Sequence, residues 1–310
     1  MDYKEALANI AEPITVEQTP TSYFSDAQMG LDPRLFRNNK LIAAVRSGIL
    51  GSLFGHLNKY YQGADSWAHA WLAGSGVSYQ WAAARDPGDL DCLVGVDYEK
   101  FRAANTNYRG FSNQEIASTL NEGFREELQK DTSNFLGAFE LTFYVNVQTN
   151  ILNIKPYAAY SVTDDDWTVK PNMETAAHRK DWDLKVERDR AMAFEIFNRY
   201  TQGLNKMQVA QNAPSRLNAQ TEIILAASQA SALYESIHHG RRAAFSESGE
   251  GYLDFNNYRW QANKDSGVVS GLKKLKDLSD SAKKIHNEET YGVELPSTDV
   301  LIRRAVLKNQ

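Results

Sequence analysis

The chain has 310 residues, 42% hydrophobic and 24% charged, the balance of a folded globular protein, which excludes a disordered or fibrous one. Its 34 Lys and Arg against 39 Asp and Glu leave a net charge of −5, so bulk positive charge selects no partner and nucleic acid could bind only through a local groove. The opening residues MDYKEALANIAEP lack a basic start followed by an apolar run, and no stretch approaches about 18 apolar residues. With a single cysteine, Cys92, no internal disulfide can form, and a cytoplasmic protein without membrane association is expected.

Residues 1–35, rich in Pro, Thr, Ser and Asp without sustained periodicity, are expected as an irregular lead-in. Leu41, Ile42, Val45, Ile49, Leu53, Phe54 and Leu57 recur at helical spacing and predict a helix to about Tyr61. Residues 67–73 are short and apolar, the pattern of a buried strand, and run into Gly74-Ser75-Gly76. A helix is expected over 77–85, and Asp86-Pro87-Gly88 has tight-turn chemistry. Residues 89–96 then alternate, with Asp89 and Asp91 on one face and Leu90, Cys92, Val94 and Val96 on the other, which makes Cys92 a small core residue.

Ser112 with Glu115 forms a capping-box pattern ahead of a helix through Ile116, Leu120, Phe124 and Leu128. Residues 139–147 alternate with Glu140, Thr142, Tyr144 and Asn146 facing one way, a half-buried strand. Residues 151–162 read as a further strand, placed at a sheet edge by Pro156. From about Thr175 the pattern becomes helical, at 175–203, 216–239, 255–278 and 297–307, after an exposed connection at 163–174 that holds Asp164-Asp165-Asp166 and Pro171. The fold class predicted is α/β, more narrowly α+β: a small mixed sheet with flanking helices over 36–162, followed by an all-helical domain over 175–310.

The chemistry concentrates where Gly74-Ser75 is followed, fourteen residues on, by Asp89-Leu90-Asp91 inside an apolar strand. Two carboxylates on one strand face lie about 6–7 Å apart at Cα, and their mutual repulsion calls for a cation between them. Hard oxygen ligands on a rigid strand suit Mg²⁺ or Mn²⁺. A Gly-Ser turn lets backbone N–H groups and one hydroxyl approach a triphosphate without an intervening side chain.

The segment WLAGSGVSYQWAAARDPGDLDCLVGVD, residues 71–97, resembles the signature of the DNA polymerase beta-like nucleotidyltransferase superfamily: an apolar strand, Gly-Ser, a spacer of this length, then Asp-x-Asp in a second strand. The resemblance extends over residues 40–162. It implies a catalytic core there, with Glu140 in AFELTFYVNV as a third metal ligand although relatives more often carry Asp. It further implies two-metal transfer of a nucleoside monophosphate from an NTP to an acceptor hydroxyl, Asp89 and Asp91 holding both ions. The helical domain looks like that of tRNA-, poly(A)- and second-messenger-synthesising relatives. RNA, a nucleotide or a small molecule as acceptor, transfer to a protein or tRNA target as a toxin- or defence-type activity, and a non-catalytic nucleotide-binding module are the functions left open.

A nucleotidyltransferase needs further cations for the triphosphate and an aromatic for the base. Besides Arg85 near the strand aspartates, Arg241, Arg242, Tyr258 and Lys264 in the helical half are the candidates, with Trp260 an i, i+4 neighbour of Lys264. A solvated helix end ahead of Gly240 is the alternative reading of this cluster. His238 and His239 lack spaced carboxylate or cysteine partners for zinc. Lys273, Lys274, Lys276, Lys283 and Lys284, interleaved with Asp277 and Asp280, read as a solvated helix face, or otherwise as a surface for RNA or an acidic partner.

Overall fold

A computed structural model describes residues 2–81, 88–172, 180–292 and 305. They form two compact units, one built on a sheet (22–172 and 245–252) and one helical (2–21, 180–244 and 253–292). The chain begins in the helical unit with α1 (Tyr3–Ile10), whose first turn is capped by the Asp2 carboxylate accepting from the Glu5 N–H at 2.8 Å. The lead-in expected to be irregular therefore contains a helix. Its apolar stripe of Tyr3, Leu7 and Ile10 spans barely two turns, too short for periodicity to register.

In the sheet unit, β1 (Phe36–Arg37) and β2 (Lys40–Leu41) form a hairpin turned by Asn38 and Asn39, both at positive φ. Then α2 (Ala43–Tyr60) buries Val45, Ile49, Leu53 and Leu57, the stripe its sequence predicts. The short α3 (Ala64–Trp67) leads into β3 (Ala68–Ala73), which pairs antiparallel with β4 (Gly88–Val96). A parallel neighbour needs a long crossover, supplied by α4 (Tyr98–Ala104), α5 (Asn113–Gly123), a π-helical turn at Phe124–Leu128 and α6 (Gln129–Thr132). The capping box forms as expected, Ser112 N–H donating to Glu115 at 2.8 Å and Glu115 N–H to Ser112 Oγ at 3.3 Å.

β5 (Phe139–Val145) lies parallel to β4, and β6 (Ala159–Ser161) and β7 (Asp166–Val169) extend the other side, giving the order β5-β4-β3-β6-β7. Leu72, Leu90, Cys92, Leu141 and Tyr160 pack with α2 and α5 in one apolar core. Burial pushes the Cys92 thiol up and Asp91 adds to the effect, in keeping with a core residue and not a nucleophile.

Four expectations need correction. The helix expected from Val77 is absent over 77–81, where a 3₁₀ turn (Ser75–Val77) gives way to irregular backbone; 82–87, with the Asp86-Pro87 turn and Arg85, lie outside the described residues. The strand expected over 151–162 is a 3₁₀ turn, Ile151–Ile154, followed by the three residues of β6, because Asn150 caps the turn and Lys155 adopts a left-handed conformation. Nor is β6 the edge. The acidic run expected in an exposed connection instead turns β6 into β7, with Asp165 at φ 60° and the Tyr160 hydroxyl donating to its carboxylate at 2.8 Å.

That turn carries a titratable contact. His69 Nε2 lies 2.9 Å from Ser161 Oγ and 3.2 Å from Asp164 Oδ2, with the ring over Trp71. Burial lowers the His69 pKa below 6.5 despite the opposing pull of Asp164. Above 6.5 the imidazole is neutral in folded and unfolded chains alike. Below it the unfolded chain takes up a proton that the folded one resists, so this group's contribution falls with pH. Urea titrations between pH 8 and 5.5 should show the parent losing more stability on acidification than His69→Gln, and equal losses would remove His69 from the balance.

The helical unit consists of α7 (Lys180–Val209), α8 (Ala213–Ala244), α9 (Phe255–Asp265) and α10 (Val268–Tyr291) together with α1. Tyr200, Ile223, Ala226, Ala230, Ile237, Leu272 and Leu275 are its fully buried centre. The helix expected over 255–278 is two, broken at Gly267, which takes a left-handed conformation. The helix expected over 297–307 falls almost wholly outside the described residues. A mixed sheet with flanking helices and a helical C-terminal region is the α+β class the sequence predicts. Among the described residues no helix is long and apolar enough to cross a membrane.

Candidate active site

Strand pairing brings the three carboxylates to one end of the sheet. Asp89 is opposite Glu140 and Asp91 opposite Thr142 across β4 and β5, while Asp91 faces Ala73 across β4 and β3. Paired residues share a sheet face, and the intervening Leu90, Cys92 and Leu141 are fully buried on the other. Asp89, Asp91 and Glu140 are half-buried. Asp89 and Glu140 are therefore one strand spacing apart, about 4.8 Å at Cα, and Asp91 is about 6–7 Å along the strand from Asp89.

The chain leaves β3 through Gly74 at φ 80°, ψ −161°, a conformation essentially confined to glycine. This bend carries the turn past the Asp91 carboxylate so closely that a Cβ at Gly74 would lie 3.1 Å from Asp91 Oδ2. Ser75 follows at the head of the 3₁₀ turn, which Ser78 closes by donating its N–H and its hydroxyl to the Ser75 carbonyl, each at 3.0 Å. Gly74, Ser75, Asp89, Asp91 and Glu140 thus occupy one corner of the sheet unit.

The donor set of three hard oxygen ligands fits Mg²⁺ or Mn²⁺ and no soft metal. The carboxylates share a face without converging on a point: among the described residues no three His, Cys, Asp or Glu side chains are gathered closely enough to hold an ion.

Behind the carboxylates the same face is apolar. Ala73, Leu93, Ile151, Ile154 and Ala159 pack there with Phe245, from the segment joining α8 to α9. The sequence marks that segment by its glycines, Gly249 and Gly251, but nothing local in it shows that it returns to the sheet.

The candidates Arg241, Arg242, Tyr258 and Lys264 belong to the helical unit. Arg241 rests its guanidinium 4.9 Å above the Trp260 ring, and Arg242 is exposed beside it. Tyr258 is buried, its ring against Trp182 and its hydroxyl donated to Asp183. Lys264 is half-buried in the last turn of α9. Between Tyr258 and Trp260, Arg259 forms a two-pronged pair with Asp189 at 2.6 and 2.7 Å. The lysines of α10 pair along their own helix, Lys273 with Asp277 and Lys276 with Asp280, both at 2.6 Å, as a solvated face does. Comparison of the chain with protein-family models, with curated proteins and with solved structures finds no match.

Proposed function

We propose that this corner of the sheet is the centre of a nucleotidyltransferase that moves a nucleoside monophosphate from an NTP to an acceptor hydroxyl. The acceptor oxygen forms a bond to the α-phosphorus, the bond to pyrophosphate breaks, and the hydroxyl proton leaves. The observation that carries the reading is the close approach of the Gly74 turn to Asp91, with Asp89 and Glu140 in register on the same face. A turn without a side chain beside a row of carboxylates is an arrangement for holding phosphates and the cations that neutralise them.

In this reading Asp89 and Asp91 hold divalent ions and Glu140, one strand away, completes the set. Bound there, Mg²⁺ or Mn²⁺ would neutralise the phosphates and acidify the attacking hydroxyl. Gly74 keeps the approach clear, Ser75 offers its N–H and hydroxyl to a phosphate oxygen, and Thr142 lies on the same face beside Asp91. The test is incubation with Mg²⁺ and each α-labelled NTP, alone, with RNA and with cell lysate. Incorporation that disappears in Glu140→Gln supports the assignment; incorporation unchanged in Glu140→Gln removes that residue from the ligand set.

A further inference from the structure

We propose that His69, Ser161 and Asp164 form a second site, for a divalent transition-metal ion such as Zn²⁺, away from the carboxylate corner. His69 Nε2, Ser161 Oγ and Asp164 Oδ2 make a nearly equilateral triangle with sides of 2.9, 2.9 and 3.2 Å. Ligands at right angles around an ion, with bonds of about 2.1 Å, stand about 3.0 Å apart. The three atoms therefore have the spacing of one face of an octahedron. An imidazole nitrogen among the donors favours Zn²⁺ and its transition-metal neighbours over Mg²⁺ and Ca²⁺, which take oxygen. His69 precedes Ala73, the partner of Asp91, by four residues of β3, so the site shares the carboxylate face and lies about 13 Å along the strand from its corner.

The donors are held in place by their own surroundings. Beside His69, the Ala70 N–H donates to Thr163 Oγ1 at 2.9 Å and the Ala70 carbonyl accepts from the Val162 N–H at 2.9 Å, which fastens the turn between β6 and β7 to the strand that bears the imidazole. Asp165, at φ 60°, turns the chain there, and the Asp164 N–H donates to Ser161 Oγ at 2.9 Å. The His69 ring packs 4.0 Å from that of Trp71, whose indole N–H donates to Thr168 Oγ1 on β7 at 3.0 Å. Supporting contacts of this kind orient a ligating imidazole. Charge points to a cation as well. Asp166, paired with Ser161 across β6 and β7, brings a second carboxylate to the same face one strand spacing away. Arg46 and Lys40 engage Asp165 instead, Arg46 Nε 3.7 Å from its carboxylate and Lys40 Nζ donating to its carbonyl at 3.2 Å. Among the described residues no Lys or Arg pairs with Asp164 or Asp166. Imidazole is mostly neutral above pH 7, so the cluster carries a negative charge that a divalent ion balances. The Asp164 side chain is 66% exposed, which leaves the remaining coordination positions to water.

Calorimetric titration of the full chain with Zn²⁺ at pH 7.5, in excess Mg²⁺, tests the site without reference to nucleotidyl transfer. The parent and Asp91→Asn should share a Zn²⁺-binding event whose affinity falls at least tenfold in His69→Gln and in Asp164→Asn, a loss that even an outer partner of a metal ligand produces. Asp164→Asn keeps the size of an exposed side chain, so a loss there reports ligation and not packing. Zn²⁺ should also raise the urea midpoint of the parent and leave that of Asp164→Asn where it was. Undiminished binding in either variant overturns the site, as does a parent that binds no Zn²⁺. So does an event that vanishes in Asp91→Asn, which places the ion in the carboxylate corner, or in His239→Gln, which places it on α8, where His239 Nε2 lies 3.4 Å from Glu235 Oε2.

Discussion

Asp91→Asn is expected to lower nucleotidyl transfer by two or more decades, the scale of losing a group that organises charge stabilisation in the transition state. Asp91 is the residue the Gly74 turn abuts and the one whose neighbours, Ala73 and Thr142, offer no substitute carboxylate. The fold should be indifferent to the change. Asn has the same shape, and Asp91 is only half-buried. A melting temperature close to the parent's together with a lost rate is the signature; a near-parental rate takes Asp91 out of the chemistry.

The largest effect on stability is expected at Asp189. Its carboxylate is almost buried, accepting from Arg259 Nε at 2.6 Å, Arg259 Nη2 at 2.7 Å and Asn263 Nδ2 at 3.1 Å, so it ties α7 to α9. Asp189→Ala leaves a guanidinium without its counter-ion and an amide without its acceptor, at a cost of about 3–5 kcal/mol. Lys273→Ala, which breaks an exposed pair on α10, should change stability by about 0.5 kcal/mol or less. Denaturant unfolding followed by tryptophan fluorescence compares the two directly, since Trp182 and Trp260 both lie in the helical unit. Similar losses from the two variants would show that the Asp189 pair contributes no more than a surface one.

What the sequence made legible were features written locally. Alternation in 89–96 and 139–147 fixed which residues share a face, and the parallel pairing of β4 with β5 then set Asp89 beside Glu140 without a shift. The helical stripe of α2 and the Ser112 cap are equally local signals. What escaped depends on partners distant in the chain. β6 is three residues long because Lys155 turns the backbone before it, and Pro156 falls ahead of the strand, so it says nothing about an edge. The pairing of Arg259 with Asp189, seventy residues earlier, has no local pattern. The stacking of Tyr252 on Tyr157 is likewise a tertiary fact with no local pattern.

The most direct measurement of the central claim is to supply the protein and Mg²⁺ with one NTP labelled in turn at the α- and the γ-phosphate, in the presence of candidate acceptors. Nucleotidyl transfer predicts that the α-label appears in the acceptor and the γ-label leaves in pyrophosphate, with both outcomes lost in Asp91→Asn. Transfer of the γ-label to an acceptor, or release of labelled orthophosphate with no α-label incorporated, would contradict it and assign the carboxylate face to a different phosphate chemistry.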